Sequence, residues 1–177
     1  MITRYKIVED GQIYFLTSTI IEWLPVFTRK VYFDIILDSF NYSRRYKGLK
    51  IYAYVIMDNH FHLIAQGDNL GKTIKELKSH TAREIIKLAE QDKKEWLLNQ
   101  LSFYRRKHKI GSVHQVWQEG SHPKQIVSEE MLRQKMEYLH HNPVRAGLAE
   151  RPEEWLYSSA RHYMGLPGIL EIDVLEL

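Results

Sequence analysis

The chain contains no cysteine. Disulfides, zinc–thiolate centres and thiol catalysis are therefore excluded, and the expected compartment is the reducing cytoplasm. Long apolar runs are missing too. None approaches the ~18 residues of a membrane span, so no membrane partner is expected. The opening stretch, MITRYKIVEDG, has no apolar h-region and gives no sign of a signal peptide. There is no low-complexity segment and no internal repeat. Charge of one sign is not in excess: the net charge is only +3. That balance permits a nucleic-acid partner without requiring one.

What is present suits one globular domain with a real core: 177 residues, 44% of them hydrophobic. We expect the main domain over residues 1–147, with 148–177 as a tail docked on it through Trp155, Tyr157 and Tyr163. Nine histidines and eleven tyrosines stand out. His is the commonest metal ligand and Tyr is a nucleophile. Any one of them taken singly is more often a packing or surface residue.

The coarse order of elements reads β-α-β-β-α-β-α. Residues 13–22, IYFLTSTIIE, are β-branched and aromatic and predict a strand. Pro25 marks a loop. Lys30 to Tyr46 predicts a helix closed by Gly48. Residues 49–57 and 60–66 predict a hairpin across Asp58-Asn59. Residues 72–91 form an amphipathic helical pattern, with Ile74, Leu77, Ile85 and Leu88 on one side. Val113–Gln118 predicts a fourth strand. Ser128 predicts a capped helix with Glu129 and Glu130 in its first turn, ending near His141 before Pro143. This order suggests an α+β, ferredoxin-like (split βαβ) antiparallel sheet. Two helices cover one face, and the last helix is free to cover the other.

Three features could carry chemistry. His60 and His62 lie two apart on a predicted strand, so they share a face and can chelate one metal ion. Phe61, Leu63 and Ala65 then point to the helix-packed face. A lone His-x-His is common by chance, and a polar sheet face is the plainer reading. The helix from Ser128 carries an apolar stripe of Leu132, Met136 and Leu139. Tyr138 lies off that stripe, with Asn142 one turn further on the same side. A packing tyrosine and a helix-terminal asparagine are the plainer reading there. The basic run of Arg105, Arg106, Lys107, His108 and Lys109, flanked by Phe103 and Tyr104, is either a solvated loop or a nucleic-acid contact. In the second case the cations would follow phosphates while the rings stack on bases.

Taken together these residues resemble a known family. YVIMDNHFHLIAQ (54–66) looks like the His-hydrophobic-His signature of the HUH superfamily. EYLHHNPVRAGLAERPEEWLYSS (137–159) resembles the region that begins at the catalytic tyrosine in REP-associated tyrosine transposases. The matching points are Tyr138, Asn142-Pro143-Val144, Ala146-Gly147, Pro152, Trp155 and Ser158-Ser159. The resemblance spans roughly residues 10–165. The chain departs from it at Asp58-Asn59, where relatives often have Pro-Asn, and in lacking a Gly-Asn-rich turn after the first strand.

The resemblance implies a metal-dependent single-stranded DNA endonuclease and strand transferase. Tyr138 would be its nucleophile, forming a 5′-phosphotyrosine intermediate. His60, His62 and Asn142 would be the metal ligands. The ion would be Mg2+ or Mn2+, and two imidazoles suit Mn2+ better. A free tyrosine ionises near pH ~10, so a proton acceptor is needed; His141 and His122 are the candidate general bases. The expected partner is single-stranded DNA containing a hairpin, and the expected state is a monomer or homodimer. Two alternatives stay open: a non-catalytic single-strand-binding module on the same fold, and a domesticated relative with a host role.

Overall fold

The computed structural model describes residue 7 and residues 9–175. Most of the N-terminal stretch MITRYKIV, over which no signal peptide is expected, thus lies outside the described residues. The β-branched and aromatic segment forms β1 (Tyr14–Thr19), followed by a 3-10 turn at Ile21–Trp23. Helix α1 covers Lys30–Tyr46, and Gly48 follows it at φ +64, a backbone conformation that glycine adopts without strain. Strands β2 (Lys50–Ile56) and β3 (His60–Gln66) pair in a hairpin across Asp58-Asn59. Helix α2 covers Leu70–Gln91.

The sheet order is β2-β3-β1-β4, with every pair antiparallel. Strand β3 sits between β1 and β2, the split βαβ arrangement that the pattern predicts. Helices α1 and α2 pack on one face, against Leu16, Tyr54, Ile56, Phe61, Leu63 and Ala65. Helix α4 (Glu129–His140) covers the other, against Phe15, Val55 and Ile64. The Ser128 hydroxyl caps α4, accepting the Met131 N–H at 3.1 Å.

Three points depart from the sequence pattern, two of them corrections and the third an addition. Val113–Gln118 is not a strand. It runs irregularly along the outer edge of β1 with a single bridge, Trp117 to Ile20, and β4 is only Lys124–Gln125. The chain turns left-handed at Gly120 and His122 (φ +77 and +41), which breaks a regular ladder there. Trp117 is buried because its indole donates to the Thr81 hydroxyl and packs on Phe61, so burial here does not signal pairing. Second, the chain does not leave helical geometry at Pro143. A short helix, α5 (Asn142–Arg145), follows α4 directly, with proline in its first turn. There its missing N–H is no loss. Third, a helix unassigned from sequence, α3 (Glu95–Phe103), buries Leu97 and Leu101.

The C-terminal segment stitches the free edge of β2. The Trp155 indole donates to the Ile56 carbonyl, and the Ile56 N–H donates to the Tyr157 carbonyl. The Ser159 hydroxyl accepts the Tyr54 N–H at 2.9 Å. Asp173 accepts from the Ile51 N–H and from Arg44.

Candidate active site

The alternation of β3 delivers His60 and His62 to the α4 face, with ring centroids 4.8 Å apart. Each ring has one nitrogen held by a neighbour. The His60 Nδ1–H donates to Asn59 Oδ1 at 2.7 Å. His62 Nδ1 meets the Thr17 hydroxyl at 2.8 Å, and Thr17 is its register partner on β1. Bonds of this kind fix the tautomer and ring orientation and leave Nε2 for another partner. Burial holds both rings neutral. It pushes the His62 imidazole down to about 3, helped by His60 and by the charges of Arg145 and Lys135. His60 is lowered by burial as well, with Asp58 opposing.

Helix α4 rests on the sheet through Leu132 and Leu139, which puts Tyr138 at the margin of the contact, 46% exposed. The Tyr138 ring meets His62 edge-on at 5.6 Å and Phe15 at 6.0 Å. Phe15 also stacks on His62 at 5.1 Å. Lys135 lies 5.9 Å from the Tyr138 ring centre and Arg145 lies 4.5 Å from it. One turn on, Asn142 Nδ2 approaches His60 Nε2 at 3.3 Å. The α4–α5 junction therefore brings Tyr138 to one histidine and Asn142 to the other.

The donor set fits a divalent cation. It offers the His60 Nε2 lone pair, the His62 Nε2 lone pair in the tautomer whose Nδ1–H donates to Thr17, and the Asn142 amide, whose Oδ1 can ligate once the amide is turned over; positions remain for oxygen atoms from water or phosphate. No group of three or more His, Cys, Asp or Glu forms among the described residues, here included, so a third protein ligand at this pair would have to be Asn142.

The other candidates separate. A cleft of about 450 Å³ is lined by Phe15, Thr17, His62, His122, Lys124, Lys135 and Tyr138. His122 is therefore a wall of the Tyr138 cleft. His141 is not among its lining residues; its Nδ1 lies 3.1 Å from the Glu137 carbonyl on the exposed side of α4. The side chains of the basic run are spread over separate surfaces. Arg105 turns back to the Lys109 carbonyl at 2.6 Å. Arg106 lines a hollow with Trp23 and His122. Lys109 joins Lys75 and Lys78 in a different cleft beside α2 and pairs with Glu119 at 3.5 Å. Lys107 is exposed.

The sequence reading passed over Thr17, Phe15, Asn59, Lys124, Lys135 and Arg145. Two carried a signal. Lys135 precedes Tyr138 by three and Arg145 follows it by seven, both on the tyrosine's side of a helix. Thr17 and Phe15 reach the histidines only through strand pairing, which sequence spacing does not show.

Several known proteins resemble this chain. A structure of a REP-associated tyrosine transposase bound to a REP hairpin superposes with a TM-score of 0.65 at 17% identity, covering 100% of this chain and 95% of its own. A Deinococcus radiodurans protein assigned as a transposase is 18% identical, with a TM-score of 0.45 over 79% of this chain and 97% of its own. Among curated proteins there is no sequence match. The family model described as "Transposase IS200 like" matches residues 24–129, more than half of the 177 residues. The chain belongs to the IS200-like transposase family.

Proposed function

We propose that this transposase cuts and rejoins single-stranded DNA through Tyr138, with a divalent cation held by His60, His62 and Asn142. The observation that carries the reading is the contact of the Tyr138 ring with His62 in one cationic cleft, while Asn142 on the same helical face reaches His60. A nucleophile and a metal pair at ring-contact distance suit phosphoryl transfer, where positioning and charge stabilisation supply most of the catalysis. The REP-associated neighbour was solved on a hairpin, which supports hairpin-bearing single strands as the substrate class.

Tyr138 Oη attacks the scissile phosphorus. The bond from phosphorus to the 3′ oxygen breaks, and that oxygen leaves as a 3′-OH. The 5′ end stays on the enzyme as a phosphotyrosine. Attack by a second 3′-OH reverses the step, restores Tyr138 and rejoins DNA. The phosphodiester energy is conserved, so no nucleotide triphosphate is needed. His122 lines the same cleft, which supports it over His141 as the acceptor of the tyrosine proton. Lys124, Lys135 and Arg145 face the phosphate charge. When bound, the cation supplies Lewis-acid stabilisation of a non-bridging phosphate oxygen. Mn2+ suits this nitrogen-rich set better than Mg2+.

The test is a covalent adduct. Protein is incubated with labelled hairpin-bearing single strands and Mn2+ or Mg2+, then run on a denaturing gel. A shifted, protease-sensitive band is expected from wild type and none from Tyr138→Phe. An adduct that survives Tyr138→Phe overturns the nucleophile assignment.

A further inference from the structure

A second hollow adjoins the Tyr138 cleft, of about 480 Å³ and shared with it through His122. Trp23 stands on its wall, 62% exposed. Exposure alone does not set it apart, since Trp96 is 61% exposed; its place in the wall of a hollow next to the Tyr138 cleft does. Its backbone is equally unusual. Four non-glycine residues have positive φ among the described residues, and three of them, Glu22, Trp23 and His122 (φ +50, +52 and +41), line this one hollow. Strained conformations of this kind gather at binding sites because the surrounding structure is built to hold them. The Trp23 carbonyl accepts the Asn59 Nδ2–H at 3.2 Å, and Asn59 Oδ1 in turn accepts from His60. The strained turn is therefore tied by one residue to the histidine pair. Arg106 lines the same hollow, as do Glu22 and Glu119, the latter already engaged by His108 and Lys109.

From these features we infer that the hollow is a base-binding subsite for an unpaired nucleotide flanking the scissile phosphate, with the base stacked on Trp23 and an adjoining phosphate met by Arg106. The inference rests on the proposed single-strand chemistry and adds where the flanking strand goes. A flat exposed ring beside a cation is what a single strand needs, since every base has a π face and every link a phosphate. The Asn59 tie gives the subsite a second role: a base seated on Trp23 holds the turn that orients His60.

The probe is a fluorescein-labelled pool of random 20-mers, with binding followed by anisotropy. Wild type, Trp23→Ala, Trp23→Phe and Arg106→Ala are compared, and each is melted to confirm folding. Trp23→Ala should weaken binding about five- to a hundredfold, the loss of one stacked base. Trp23→Phe should restore most of it, and Arg106→Ala should weaken binding and flatten its salt dependence. All should melt like wild type. Trp23→Ala binding at wild-type strength, while wild type forms the Tyr138 adduct, overturns the subsite and leaves the proposed function standing. Equal losses in Trp23→Phe and Trp23→Ala also overturn it. A wild-type protein that neither binds the pool nor forms the adduct overturns both readings.

Discussion

The two faces of the sheet are made by the same strands and put to opposite uses. On β3, Phe61, Leu63 and Ala65 are fully buried beneath α1 and α2. His60 and His62, on the alternate positions, meet the α4–α5 side. The helix-packed face is almost wholly apolar, with Phe40, Phe61 and Trp117 in edge-to-face contact. The α4 face has only a small apolar cluster around Phe15, Ile64, Leu132 and Leu139, and polar groups border it. Burial stabilises on the first face. On the second it also keeps imidazoles neutral, which a metal ligand requires. A period of two lets one seven-residue strand serve both ends.

The largest test exchanges the consequences. Tyr138→Phe should lower adduct formation by at least about a thousandfold with no change in melting, because only an exposed hydroxyl is lost. Phe61→Ala should do the reverse. It should cost about 3–5 kcal/mol and a Tm drop on the order of 10 °C, while the remaining folded protein still forms adduct in the cold. If folded Phe61→Ala is inactive, the two faces are not separable.

Mn2+ at a hundred times its Kd should stabilise wild type by about 2.7 kcal/mol against urea. His60→Ala should lose that gain while keeping its metal-free stability within about 1 kcal/mol. A gain of equal size in the variant would place the ion elsewhere.

Much of this plan was legible in the sequence, for physical reasons that differ by element. Alternation along 60–66 shows which β3 residues share a face, because strand period is fixed by backbone geometry. Ser128 and the Leu132–Leu139 stripe fix α4 and leave Tyr138 at its margin. Misses came where tertiary contacts outweigh local pattern. Trp117 looks like a strand residue but is held by Thr81 and Phe61. Pro143 reads as a stop, yet the first turn of a new helix tolerates it. Arg106 and Lys109, three apart in sequence, line different clefts, and no spacing rule separates them. Trp23 carried no signal, since its positive-φ turn and its tie to Asn59 across the hairpin appear only in the folded chain. Ser159 shows what part of the downstream motif does: it is an edge stitch rather than a site residue.

That stitch sets a smaller effect. His140 Nε2 and the Ser159 hydroxyl are 2.8 Å apart, and both residues are buried, so this contact holds α4 and its tyrosine to β2. Ser159→Ala strands His140 and the Tyr54 N–H and should cost about 1–3 kcal/mol, with slower adduct formation. Burial pushes His140 down to about 4, with His141 adding to the shift, from an ordinary 6.5. The unfolded chain therefore takes a proton below pH 6.5 that the folded chain refuses. This contribution is whole above 6.5 and is lost as pH falls toward 4. His140→Gln, which keeps a partner for Ser159 and cannot titrate, should flatten the urea midpoint between pH 6.5 and 4.5 in the presence of chelator. An unchanged slope would remove His140 from the acid limb.

The smallest effect concerns charge, and it divides the faces once more. Lys124 and Lys135 border the Tyr138 cleft, whereas Lys47, on the helix side, pairs with Glu76 at 3.0 Å. Lys135 is held below the usual lysine range by partial burial and by Lys124, a cluster of like charge that an incoming phosphate relieves. Each phosphate contact releases counterion, so losing one should reduce the slope of log affinity against log salt by roughly 0.7 on single strands. Lys124→Ala and Lys135→Ala should each do so, weakening binding a few-fold regardless of sequence. Lys47→Ala should leave the slope unchanged, because its charge is already met by Glu76 and its face is turned from the cleft. A slope carried by Lys47 and not by Lys135 would move the DNA to the helix face and separate it from Tyr138.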